Sequence, residues 1–167
     1  MRKNAKMSEL DMQLKYAEKP ECFPLVSVKM VKEGRMKYAQ IRALTDSQVI
    51  YDQFKRVFEQ QIQEKVVAAF VNMHLEVISA QIVGIGTIGT CTVDKASIFR
   101  TALLSGASGI ILMHNHPSGS LVASKEDIEC TKSMIKIGKL LGIPVLDHII
   151  FADDWYHSIR SHGEAKF

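Results

Sequence analysis

Gly109-Ile110-Ile111-Leu112-Met113-His114-Asn115-His116-Pro117-Ser118-Gly119 decides how this chain is read. An apolar run leads into two histidines two positions apart, and Pro117 and Gly119 then turn the chain. Alternate side chains of an extended strand share a face, so His114 and His116 leave the strand end on one side. Asp127 follows in Ser124-Lys125-Glu126-Asp127, in the first turn of the next predicted helix. Two histidines and one carboxylate around a single ion leave a fourth tetrahedral position open, as in a catalytic zinc site rather than a structural one. The helix start has a second reading. Ser124 is a good N-cap, and Asp127 completes a capping box in which Asp replaces the usual Glu or Gln. The helix dipole also favours a carboxylate there. On this reading the two roles combine only if the Asp127 carboxylate turns away from the backbone.

Outward from this stretch the pattern alternates between strand and helix. Thr45 or Asp46 caps a predicted helix running to about Gln63, with Val49, Ile50, Phe54, Val57, Phe58 and Ile62 on its apolar face. Val66-Val67-Ala68-Ala69-Phe70-Val71 reads as a strand buried on both faces. Asn72-Met73-His74 makes a tight turn into a strand from Leu75 to about Ile85, in which Gly84 and Gly86 mark a bulge or bend. Asp94 caps a helix to about Ser105 with Ile98, Phe99, Ala102 and Leu103 inward, ended by Gly106 or Gly109. After the histidine strand, the helix from Ser124 carries Ile128, Met134, Ile135, Ile137 and Leu141, with Gly142 as its C-cap. Pro144 to Phe151 and Trp155 to Ile159 are the last strands, the second short and at an edge. Residues 1–44 read as a polar arm followed by a hairpin, with strands at Phe23–Val31 and Lys37–Arg42 around Glu33-Gly34-Arg35. Residues 45–167 read as one α/β domain, a curved mixed sheet with helices packed on it.

Composition narrows the functional classes. The chain has 167 residues, 47% hydrophobic and 23% charged, which suits a soluble globular protein. A net charge of +3 with scattered basic residues lacks the concentrated stripe of a dedicated nucleic-acid binder. No apolar run reaches the length of a membrane span, and the polar N-terminus lacks a signal-peptide core. Cys22, Cys91 and Cys130 form no CxxC pair and no disulfide framework. The expected setting is therefore the cytoplasm, with reduced thiols and no Cys-based zinc site.

His114-x-His116-Pro117, then Ser124 and Asp127, resembles the JAMM (MPN+) metalloprotease signature. With Pro117-Ser118-Gly119 and Leu146-Asp147-His148-Ile149-Ile150, the chain from about residue 45 onward is similar to the RadC branch of that fold. The resemblance implies a JAMM/MPN architecture of the cytidine-deaminase-like kind. It also implies a Zn2+ ion on His114, His116 and Asp127, and a glutamate general base on an earlier strand. Glu64, where the predicted helix feeds the apolar run, stands in the matching place; read without the resemblance it is a solvent-facing charge at a helix end. Glu76 is the lesser upstream candidate. Branch members often carry a second glutamate where this chain has Gln81. The longer members also carry an N-terminal helix-hairpin-helix region. The first 45 residues hold no counterpart to it and resemble shorter forms found on plasmids and phages.

The function implied is hydrolysis of a peptide or isopeptide bond by a metal-activated water, with Glu64 moving the proton and Ser124 helping zinc to carry the oxyanion. Ser124 as nucleophile fits less well, because no base is implied beside it. His148 can orient a metal ligand, although a satisfied structural histidine is preferred. His74, His157 and His162 are given no role. The expected partner is a protein or peptide substrate. The alternative is a DNA-repair or mobile-element protein that uses the fold for DNA or protein interaction without hydrolysis. His114-Asn115-His116 is not an HNH nuclease motif, which spreads its residues over a ββα unit. The oligomeric state stays open; an edge strand near the C-terminus permits pairing.

Overall fold

Asp46 opens the first helix by accepting a hydrogen bond from the Val49 amide at 2.9 Å, and helix α1 (Ser47–Phe58) follows. The computed structural model describes residues 43–86, 93–152 and 154–167, together with Ser27, Met30, Val31 and Gly34. The arm and hairpin expected over residues 1–44 lie almost wholly outside these, as do Cys22 and Cys91. Every element below belongs to the unit Lys32–Phe167.

Beyond α1 come β1 (Glu64–Val71), β2 (Val77–Gly86), α2 (Lys95–Ser105), β3 (Gly109–Asn115), α3 (Lys125–Leu141), β4 (Val145–Ala152) and β5 (Trp155–Ser158). The strands form one mixed sheet in the order β2-β1-β3-β4-β5. Only β3 and β4 run parallel, joined by the α3 crossover, and the other pairs are antiparallel.

Strand parity sorts the core into two layers. Val67, Ala69, Val71, Ile111, Met113, Ile149 and Phe151 pack with Ile50, Phe54 and Phe58 of α1. Val66, Ala68, Phe70, Ile110 and Leu112 pack with Ile98, Phe99 and Ala102 of α2 and Met134 of α3. Both faces of the central strands are thus covered, which is why the Val66 and Ile110 runs are apolar throughout rather than alternating. His114 continues the row of Ile110 and Leu112 on the α2–α3 side. Asn115 continues the row of Ile111 and Met113 on the α1 side.

Several expectations are corrected. Helix α1 stops at Phe58, not near Gln63: Glu59 leaves the helical region and Gln60 has φ 58°. Ile62, expected on the apolar face, is therefore 86% exposed. Leu103 and Leu141 also face solvent. The buried stripe of α2 is Ile98, Phe99 and Ala102, and Leu103 lies one step around the helix from it. In α3 the stripe is Thr131, Met134 and Gly138. Gly138 is required there by contact, since a Cβ would sit 2.5 Å from the Ile143 carbonyl oxygen. The glycine-marked irregularity in β2 is a bulge at Val83, beside Gly84. Gly106 and Gly142, both left-handed, end α2 and α3. No helix among the described residues is long and apolar enough to cross a membrane.

Candidate metal centre

The sheet ladder delivers both histidines. His114 pairs with Val66 of β1 and Ile150 of β4, and it is 1% exposed. The His116 amide continues the ladder to the Phe151 carbonyl at 2.8 Å. The chain then turns, with the Gly119 amide donating to the His116 carbonyl at 3.0 Å and Gly119 at φ 75°. Residues that β3 would carry outward past its end are instead folded back, and α3 starts beside the two imidazoles.

His114 Nε2 and His116 Nε2 lie 3.0 Å apart. Asp127 Oδ1 is 3.2 Å from His114 Nε2, and Asp127 Oδ2 is 3.5 Å from His116 Nε2. Donor atoms bound tetrahedrally to zinc at about 2.0–2.1 Å lie about 3.3 Å from one another. The three side chains could hold one metal ion, and they are the one His/Cys/Asp/Glu group so gathered among the described residues. The His116 Nδ1–H donates to the Ser120 carbonyl at 2.8 Å, which leaves its Nε2 for the centre.

Asp127 caps the helix and still presents an oxygen to the histidines, the two placements that the sequence set against each other. Its Oδ2 accepts from the Ser124 amide at 2.9 Å and from the Ser124 hydroxyl at 2.6 Å, and its own amide donates to Ser124 Oγ at 3.0 Å, closing the capping box. Its Oδ1 faces His114. A carboxylate has two oxygens with several acceptor positions, so capping and metal ligation need not compete. Burial pushes Asp127 upward, but the bonds from His114 and His116 outweigh it and hold the carboxyl well below the usual range. The Asp127 bond in turn raises His116 against its own burial.

Glu64 is the first residue of β1, not a helix-end charge. In the antiparallel register Val66 faces His114, so Glu64, two residues earlier, extends the same face towards His116. It lines a cavity of about 460 Å³ with His114, His116, Ser124, Asp127 and Cys130. Glu76 stands at the far end of β1, where its carboxylate accepts from Asn72 Nδ2 at 2.8 Å. Gln81 donates to Ser97 Oγ at 2.9 Å and does not line the cavity. Burial pushes the Cys130 thiol up, so it stays protonated beside the site.

Asn115 and Thr131 escaped the sequence reading, and the orienting role of His148 stood there as its second choice. Asn115 Oδ1 accepts from the Lys65 amide at 2.8 Å, and its Nδ2 donates to the Gln63 carbonyl at 3.1 Å, so it grips the backbone on both sides of Glu64. His148, preferred above as a purely structural residue, lies with its Nε2 2.8 Å from His114 Nδ1. Thr131 links the His148 Nδ1 (2.6 Å) to the Asp127 carbonyl oxygen (2.6 Å). The signals were faint: a polar residue at an inward position of α3, and a histidine pairing across from Leu112 in the buried sheet.

A mixed sheet with a parallel crossover, a His-x-His at its central strand end and an aspartate in the following helix cap define a JAB-type domain. A family model described as the RadC-like JAB domain matches residues 44–164, and the chain belongs to that family. Similar relatives bear only the name UPF0758 protein. One from Methanosarcina mazei is 32% identical over 125 residues, covering 75% of this chain and 55% of the relative. One from Bacillus mycoides is 41% identical over 101 residues, covering 60% and 45%. One from Desulforamulus reducens is 39% identical over 101 residues, covering 60% and 44%. The chain spans about half the length of the curated relatives it matches.

Proposed function

We propose that this domain is a zinc-dependent hydrolase of peptide or isopeptide bonds. One observation carries the reading: the His114 and His116 Nε2 atoms lie 3.0 Å apart, with one Asp127 oxygen 3.2 Å from the first and the other 3.5 Å from the second, in the wall of a cavity that Glu64 also lines. Zinc held there supplies a Lewis acid that polarises the scissile carbonyl and lowers the pKa of water from about 15.7 towards about 7.

The remaining work falls to the chain itself. Glu64, set across from His116 at the cavity wall, accepts the proton of the attacking water and returns it to the leaving amine. Ser124 stands at the same wall as a donor to the developing oxyanion. Its proton is engaged with Asp127 Oδ2, so this donation requires the hydroxyl to turn towards substrate. The Ser120 carbonyl holds the His116 ring with Nε2 inward, which keeps that imidazole from rotating away as substrate enters. A peptide or protein partner follows from the bond class.

The test uses purified protein and elemental analysis. The wild-type chain should hold about one zinc, and His116→Ala should lose it. On a mixture of denatured proteins, new amino termini should form with the zinc-loaded wild type and not with Glu64→Gln. Zinc binding without any cleavage dependent on Glu64 would sink the hydrolase reading.

A further inference from the structure

His148 and Thr131 close a ring of contacts through two of the three proposed ligands. His114 Nδ1 meets His148 Nε2 at 2.8 Å, His148 Nδ1 meets Thr131 Oγ1 at 2.6 Å, and Thr131 Oγ1 meets the Asp127 carbonyl oxygen at 2.6 Å. The Asp127 side chain returns to His114 Nε2 at 3.2 Å. Thr131 and His148 are buried, at 0% and 2% exposure, so water does not supply alternative partners.

The protons in this ring have one consistent arrangement. A carbonyl oxygen only accepts, so the single Thr131 proton goes to Asp127. The Thr131 oxygen must then accept, which places a proton on His148 Nδ1. A neutral His148 consequently has its lone pair on Nε2, and that lone pair accepts from His114 Nδ1–H. His114 is left with its own lone pair on Nε2, and in the metal-free protein a proton on His116 Nε2, 3.0 Å from it and 3.5 Å from Asp127 Oδ2, keeps that lone pair and the carboxylate from facing each other unmet. Reversing the middle link would put two lone pairs face to face between Thr131 and His148, a buried unsatisfied contact.

We propose that His148 is a positioning residue: through Thr131 it fixes the tautomer and ring angle of His114, so that the ligand lone pair is presented before any metal arrives. This rests on the metal-site reading and not on hydrolysis. Ligating histidines commonly give their other N–H to a carboxylate, carbonyl or water. Here the acceptor is a second imidazole, itself set by an α3 hydroxyl that reports the position of the aspartate ligand. The helix cap and the histidine strand are thereby held in one register.

Two measurements test it. Nitrogen-15 NMR of metal-free, histidine-labelled protein should show both His114 and His148 protonated on Nδ1. Zinc affinity, read by competition with a chromophoric chelator, should fall about 10–100-fold in His148→Leu. His148→Gln, which offers an amide oxygen to His114 and an amide N–H to Thr131, should recover most of that loss. Thr131→Val should leave His114 in a mixture of tautomers. Wild-type zinc binding with unchanged affinity in a folded His148→Leu would overturn the proposal, as would a His114 protonated on Nε2. If the wild type binds no zinc, the metal-site reading fails by itself, and the NMR result still decides the tautomer lock. Should His148→Leu not fold, the Gln and Val variants carry both readouts.

Discussion

The Asn115 side chain receives the Lys65 amide at 2.8 Å, so a side-chain amide on β3 completes the hydrogen bonding of the β1 backbone next to Glu64. With the Nδ2 donation to Gln63, the carboxylate residue is anchored on both flanks. Asn115 is 5% exposed, and an apolar replacement would leave a backbone donor and a backbone acceptor without partners. We expect Asn115→Leu to lower unfolding free energy by about 1–3 kcal/mol, measured by urea denaturation. It should also reduce any Glu64-dependent hydrolysis while zinc content stays at the wild-type level. A stability change without an activity change would show that Glu64 is placed by other contacts.

Glu64→Gln separates the proton-transfer role from metal binding. The substitution keeps size and removes the base. Loss of a positioned general base costs about 10²–10⁴ in rate. Zinc stoichiometry should not move, because Glu64 is outside the ligand group. Loss of zinc along with activity would instead make Glu64 part of the ligand set.

How much of this was legible from sequence depends on the range of the interaction. The histidine pair, the capping box and the glycine C-caps are local, and each was readable from a few adjacent residues. The buried runs at Val66 and Ile110 announced central strands because both their faces are covered. Leu103 and Leu141 were misplaced because apolar character gives a period but not the width of the buried stripe, and Ile62 because the helix ends before it, at Phe58. Thr131 and Gly138 occupy inward α3 positions for contact reasons that hydropathy does not encode. Asn115 and His148 act across strands 50 and 34 positions away from their partners, and one sequence holds no trace of such pairings.

Gly138→Ala tests the close approach of α3 to the strand that follows it. The added methyl would meet the Ile143 carbonyl oxygen at 2.5 Å, a backbone atom that cannot swing aside. Helix propensity favours Ala over Gly by up to about 1 kcal/mol, so an unhindered site would gain stability. Overpacking of this kind costs about 1–3 kcal/mol, and the net change should be destabilising in thermal or urea unfolding. A rise in stability would mean that α3 shifts freely on β4.

The pH dependence of the metal-free protein should be set by two histidines acting in opposite directions. Burial, with His114 beside it, holds His148 well below the ordinary histidine range. The unfolded chain takes up a proton near pH 6.5 that the folded chain refuses. Acidification through that value therefore costs stability, by up to about 1.4 kcal/mol per pH unit for one proton. His116, raised by its bond to Asp127, contributes stability that is complete below about pH 6.5 and is lost as pH rises through its raised value. Asp127, held low, contributes above about pH 3.9 and loses this only in stronger acid. Unfolding free energies taken between about pH 6.5 and 5 should thus fall more steeply for wild type than for His148→Gln. Equal slopes would mean that His148 is protonated in the folded chain.

Asp147, next to His148, holds the end of the sheet rather than the metal centre. Its Oδ1 accepts from the His148 amide at 2.7 Å and the Arg160 amide at 3.3 Å, and its Oδ2 accepts from the Ser158 hydroxyl at 2.7 Å. It thus ties β4 to β5 and the turn beyond. Burial raises its carboxyl, and the Ser158, His148 and Arg160 bonds only partly offset that. For a raised acid the favourable contribution is complete below the unfolded value of about 3.9 and is lost as pH rises through the folded one, so the charge is a net cost at neutral pH. Removing the acceptor costs more than the charge does, because the His148 and Arg160 amides lose their partner and the Ser158 hydroxyl is left with Ser161 Oγ alone. Asp147→Ala should destabilise by about 2–3 kcal/mol in urea denaturation at neutral pH. Asp147→Asn keeps the Oδ1 acceptor, and the Ser158 hydroxyl can turn to receive its new amide, so this variant should retain most of the stability. An Asn variant as unstable as the Ala variant would show that the carboxylate charge itself, not its hydrogen-bond geometry, holds β5 in place.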